Sequence, residues 1–131
     1  MHHKNTINKL EIPRIGLGTW AFGGEKWSHG WGPQPEELSI KTIIEAMSSG
    51  INLIDTAAVY GLGMAEHVLG SSLIKWNGNR PFIISKCGQS WGADGKFKTN
   101  LSKDAIRKSC IDSLLRPVSY THLTLPTKRI V

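Results

Sequence analysis

Two short runs constrain this chain more than any other feature. Ile51-Asn52-Leu53-Ile54 and Phe82-Ile83-Ile84-Ser85 are apolar almost without a break, and a charged residue closes each, Asp55 and Lys86. A strand with one wet face alternates apolar and polar residues; a strand covered on both faces reads as a continuous apolar run. Between the two runs, Ala65 to Trp76 reads as a helix with Val68, Leu69, Leu73 and Ile74 on its inner side, and Asn77-Gly78-Asn79-Arg80-Pro81 ends it. The segments on either side repeat the pattern. Arg14 to Trp20 reads as a short strand running into a glycine turn. Pro35 to Ser49 reads as a helix, with Pro35 at its first position, Glu36 and Glu37 at its positive end and Gly50 at its exit. Leu38, Ile40, Ile43, Ile44, Ala46 and Met47 supply its apolar side. Ser102 caps a third helix whose stripe is Ala105, Ile106, Ile111, Leu114 and Leu115.

Strands alternating with helices make parallel βαβ units, so the fold class is α/β. An eight-fold barrel of such units needs roughly 250 residues, and this chain has 131. The expectation is therefore the N-terminal three βα units of a (β/α)8 TIM barrel, truncated. Such barrels keep their reactive groups at the C-terminal ends of strands and in the loops that follow. Asp55 and Lys86 stand there, and Tyr60 follows Asp55 in the glycine-flanked loop Val59-Tyr60-Gly61-Leu62-Gly63. An acid, a phenol and an amine meeting at one point make a device for moving a proton through the phenol. Taken singly, each residue has a plainer reading: Asp55 a loop cap, Lys86 a solvated side chain, Tyr60 a packing aromatic.

Residues 117–131 break the pattern. Val118 to Leu125 alternates as an exposed strand does, between Pro117 and Pro126, where a fourth parallel strand needs an apolar run. The phrase resembles the translated read-through of a synthetic sequencing adapter. Residues 1–116 are thus expected to carry the barrel portion and 117–131 to form a non-native tail, with its His122 unassigned to any site.

Composition narrows the function. The formal net charge of +6 invites a nucleic-acid reading, but the 16 basic residues are scattered, with no cluster longer than Lys128-Arg129. No run approaches a membrane span and the first residues lack a signal peptide's apolar core. Cys87 and Cys110 show no paired spacing, as reduced cytoplasmic thiols would. His2-His3 is too short for a metal site and no metal is expected; His29 reads as a surface loop residue and His67 as exposed.

Ile15-Gly16-Leu17-Gly18-Thr19-Trp20, then Asn52 through Gly63, then Glu66-His67-Val68-Leu69-Gly70, and finally Ile84-Ser85-Lys86, occur in an order that resembles the aldo-keto reductases. The resemblance runs from about Pro13 to Arg116, and Gly88-Gln89-Ser90-Trp91 is similar to the bacterial stress-protein and sugar-dehydrogenase type. Ala65 departs from the pattern, since many relatives have a helix-capping serine there. The resemblance implies an oxidoreductase that interconverts small carbonyl compounds or sugars with alcohols, using NADPH, less often NADH. It implies that Tyr60 is the general acid, that Lys86 supports it and that Asp55 holds Lys86. A phenol is a weak acid at neutral pH, and a nearby ammonium stabilises the phenolate it leaves behind. Gly18, Thr19, Trp20 and Asp55 would approach the cofactor. The family's catalytic histidine, at the end of the fourth strand, has no counterpart assigned here, so this chain alone is expected to be inactive. Trp27, Trp31 and Trp91, in loops on the same side, would line the substrate pocket or anchor those loops. A second implied role is a cofactor-sensing binding subunit of the potassium-channel β type.

Overall fold

The structure is a computed structural model that describes residues 5–7 and 10–116. The 117–131 tail, including His122, and the His2-His3 pair lie outside the described residues. Strands β1 (Asn5–Ile7) and β2 (Leu10–Ile12) pair antiparallel, a hairpin the sequence reading missed. Next come β3 (Leu17–Gly18), α1 (Glu36–Ser48), β4 (Leu53–Asp55), α2 (Met64–Lys75) and β5 (Phe82–Ile84). β3, β4 and β5 form one parallel sheet with β4 in the middle. The hairpin β6 (Gln89–Trp91) and β7 (Phe97–Thr99) follows, then α3 (Lys103–Leu115). These are three successive βα units, as the alternation predicts.

The helix ends show why the chain folds locally this way. Pro35 lies one residue outside α1 as its extended N-cap (φ −59°, ψ 131°), and Glu36 and Glu37 fill the first turn. At the exit Gly50 adopts φ 91°, and the N–H groups of Gly50 and Ile51 close on the carbonyls of Met47 and Ala46 at 3.0 Å each. That double closure is open to glycine because a side chain disfavours the left-handed conformation. Ala65 is not a cap. Gly63 caps α2, and Ala65 lies inside the first turn, fully buried, where a methyl packs without a polar atom to satisfy. Ser102 does cap α3, its hydroxyl accepting the Ala105 N–H at 3.3 Å.

The core lies between the sheet and α1 and α2. Ile54 on the central strand is fully buried against Ile43, Val68, Leu69 and Leu73, with Phe22, Ile40 and Met47 around them. Burying such side chains contributes about 1.5–3 kcal/mol apiece. Three expectations need correction. Helical spacing predicts Ile74 on the inner side of α2, but it is 61% exposed, because Leu73 and Leu69 already point at the sheet and the next position turns outward. The strands are not covered on both faces: Ile54 and Ile83 face the helices, while Phe82 and Ile84 are 38% and 50% exposed, with no second layer among the described residues. The apolar stripe of α3 exists, yet Ile106, Ile111 and Leu115 lie open for the same reason.

Candidate active site

Register brings the strand ends level. Gly18 pairs with Asp55 and Asp55 with Ile84, so Thr19-Trp20, Thr56 and Ser85-Lys86 all emerge at one end of the sheet. Lys86 Nζ donates to Asp55 Oδ1 and, at 3.1 Å, to the Thr56 carbonyl. It also stands over the Tyr60 ring, 5.0 Å from the centroid. The acid, the amine and the phenol therefore meet. Burial works against the Lys86 ammonium, but its contacts with Asp55 and Tyr60 outweigh this and hold its pKa above the ordinary lysine range.

The backbone after Tyr60 explains how the phenol reaches this point. Gly61, Leu62 and Gly63 take φ values of 62°, 55° and 99° in succession. Leu62 is the single non-glycine residue with positive φ among the described residues. Three left-handed residues reverse the chain from the end of β4 into α2 and leave Tyr60 over the strand ends. Backbone of this kind persists where surrounding structure enforces it, commonly at functional sites.

An aromatic wall surrounds the phenol. The Trp20 ring lies 4.9 Å from Tyr60 and 5.0 Å from Trp27, centroid to centroid. Phe97, from the hairpin, stands edge-on to Trp27 at 6.2 Å and lies 5.7 Å from His29. Trp20 Nε1 donates to the His29 carbonyl at 2.9 Å, and Trp27 Nε1 to the Gly24 carbonyl at 3.1 Å. Together with Lys86 these rings enclose a cavity of about 330 Å³. That is near the lower end of ligand-pocket sizes.

The remaining sequence candidates fall at different distances from it. Thr19 is fully buried behind Trp20, its backbone N–H donating to the Asp55 carbonyl at 2.9 Å. Gly18 lies at the strand end beside Asp55. Trp27 lines the cavity. Trp31 is 79% exposed and outside the lining, and Trp91 belongs to a neighbouring cavity of about 550 Å³ beside Arg116. His29 and Phe97 are lining residues that the sequence reading did not place at the site. Asp94-Gly95, a hairpin-turn signature, was the available signal for the element that carries Phe97. Among the described residues no cluster of three or more His, Cys, Asp or Glu is arranged to hold a metal, and no helix is long and apolar enough to cross a membrane.

The chain is similar to known proteins over most of its described length. The family model described as "Aldo/keto reductase family" matches residues 14–117. A curated Escherichia coli protein named NADH-specific methylglyoxal reductase is 37% identical over 117 residues, covering 82% of this chain and 35% of that protein. The aldo-keto reductase YhdN of Bacillus subtilis is 43% identical over 91 residues, covering 68% of this chain and 26% of that protein. Among solved structures, the glycerol dehydrogenase of Gluconobacter oxydans superposes with a TM-score of 0.71 at 35% identity, covering 86% of this chain and 34% of that one. The chain thus spans between about a quarter and about a third of the length of these relatives.

Proposed function

The chain belongs to the aldo/keto reductase family, and we propose that the complete protein reduces small aldehydes and ketones to alcohols with a nicotinamide cofactor, Tyr60 giving the proton. The observation that carries this reading is the placement of Lys86 between Asp55 and Tyr60 at the mouth of the aromatic cavity.

The residues present fit the nicotinamide end of such a cofactor. A Cβ on Gly18 would meet nothing within 4 Å, so the strand end beside Asp55 is open to a flat ligand. Thr19 Oγ1 and Thr56 Oγ1, just past adjacent strands, are buried with no hydrogen-bond partner among the described residues. Gly18, Thr19, Trp20 and Asp55 are the residues that would hold it. The bound cofactor supplies the hydride that forms the new C–H bond at the carbonyl carbon. The Tyr60 hydroxyl donates its proton to the carbonyl oxygen, so the C=O π bond becomes C–O–H and the phenolate is left on Tyr60. Lys86 stabilises that phenolate through its positive charge, and Asp55 keeps the ammonium placed and protonated. Trp20, Trp27 and Phe97 exclude water and favour a small carbonyl compound. A two-carbon or three-carbon aldehyde, such as the methylglyoxal of the E. coli relative's name, suits the cavity.

The resemblance favours NADPH, while the name of that relative favours NADH, so both cofactors belong in the assay. We place the protein in the cytoplasm, with Cys87 and Cys110 free thiols and no nucleic-acid or membrane partner. We expect no turnover from this chain by itself, which spans only about a third of the length of such relatives. The test is oxidation of NADPH and of NADH by the full-length product of the source gene with methylglyoxal and glyceraldehyde as substrates, and reduction of NADP+ and of NAD+ with glycerol. Cofactor binding without turnover would favour the binding-subunit role instead.

A further inference from the structure

Glu66 is a carboxylate 1% exposed, and the proton-transfer chemistry makes no use of it. Both of its oxygens are occupied. Oε1 accepts from the Ser85 hydroxyl at 2.8 Å, and Oε2 accepts from Arg116 Nε at 2.7 Å. Ser85 immediately precedes Lys86, one residue beyond the end of β5, where the Ile84 carbonyl takes the Thr56 N–H at 2.8 Å. The Ser85–Glu66 bond therefore fixes the backbone unit from which the Lys86 side chain departs. A buried carboxylate persists as an acceptor only if a positive charge compensates it, and Arg116 supplies that charge from the end of α3.

Arg116 is itself held in place. Its guanidinium lies 5.4 Å over the Trp91 ring, and Nη2 donates to Ser113 Oγ at 3.5 Å. Gly63 makes room for it: a Cβ there would fall 2.9 Å from Arg116 Cδ. The residues on which α3, α2, the hairpin and β5 converge are thus the residues behind Lys86. We propose that Arg116, acting through Glu66 and Ser85, is a positioning residue for Lys86, fixing the ammonium between Asp55 and Tyr60. This inference rests on the reading that Lys86 serves the proton transfer.

The alternative is that the buried pair does no more than join α3 to α2. The two differ at Ser85, because Ser85→Ala leaves the Glu66–Arg116 pair intact and cuts the link to Lys86. The readout is the ionisation of Lys86 itself, independent of turnover: the pH profile of amine labelling by acetic anhydride, followed by mass spectrometry of the Lys86 peptide, with exposed Lys41 as internal reference. The other titratable groups sharing the site, Asp55, Tyr60, His29 and Cys87, are unchanged in every variant. Ser85→Ala and Glu66→Gln are expected to move the Lys86 profile to lower pH, raising its labelling rate near pH 9, normalised to Lys41, by about threefold or more. Ser85→Thr, which restores a hydroxyl, is expected to restore the profile, and Arg116→Ala to behave as Glu66→Gln if it folds. An unchanged Lys86 profile in a folded Ser85→Ala chain would overturn the proposal. If the profile moves while the full-length enzyme shows no turnover, the functional reading fails and the positioning role stands.

Discussion

Gly61 lies so close to Gly23 that a Cβ on Gly61 would fall 2.1 Å from the Gly23 carbonyl oxygen. The loop after β3 and the loop after β4 touch backbone to backbone at this point. Trp20 and Trp27 on the first loop can consequently pack on Tyr60 of the second. The contact needs glycine on steric grounds and again on conformational ones, since Gly61 has φ 62°.

Gly61→Ala is therefore expected to destabilise the fold by about 2–4 kcal/mol, from backbone strain and overpacking together. Urea unfolding would show it as a lower midpoint at unchanged slope. A midpoint equal to that of the parent chain would contradict the close approach.

The two sides of α2 should respond in opposite ways. Leu69→Ala removes a fully buried side chain against Ile54 and is expected to cost about 2–5 kcal/mol. Ile74→Ala, 61% exposed on the same helix, is expected to change stability by about 0.5 kcal/mol or less. Equal losses would mean that the helix presents a different face to the sheet.

Tyr60→Phe keeps the ring that packs on Trp20 and removes only the hydroxyl. In the full-length enzyme it should lower kcat by about 10²–10⁴-fold and leave the dissociation constant of the cofactor nearly unchanged. Stopped-flow turnover and fluorescence titration separate the two effects. A modest loss of kcat would remove Tyr60 from the proton-transfer role.

The pKa of Lys86 is raised in the folded state by Asp55 and Tyr60 against the opposing effect of burial. A raised lysine contributes stability that is fully present below the unfolded value, about 10.4, and lost as pH rises through the folded one. Stability arising from the pair should thus be flat near neutrality and decline only in the alkaline range. Both side chains are about half exposed, so the contribution is small and weakens with salt. Lys86→Met should lack this part of the alkaline decline. Urea midpoints between about pH 9 and pH 11.5 test it, and parallel curves for the two chains would count against the pair.

Much of this architecture is legible from residue order alone. The apolar runs ending at Asp55 and Lys86, the helical spacing of Ile40, Ile43 and Met47, and Gly50 at the helix exit are local signals, and local backbone preferences enforce them. From them follow three βα units and the placing of Asp55, Tyr60 and Lys86 at one end, because parallel strands in register bring their C-terminal ends together. What the order of residues could not settle depends on neighbours distant in the chain. Ile74 turned outward because Leu69 and Leu73 had already taken the sheet. Phe82 and Ile84 stayed open because no described residue covers that face. His29 read as a surface residue and became a cavity wall only because a hairpin brings Phe97 to it across 68 positions of sequence. Glu66, which the motif marks without explaining, acquired its partners from Ser85 and Arg116, 19 and 50 residues away. Periodicity and caps are properties of a few adjacent residues, and sequence determines them. Which side chains close a cavity or compensate a buried charge is decided by packing between distant segments, and only the tertiary structure shows it.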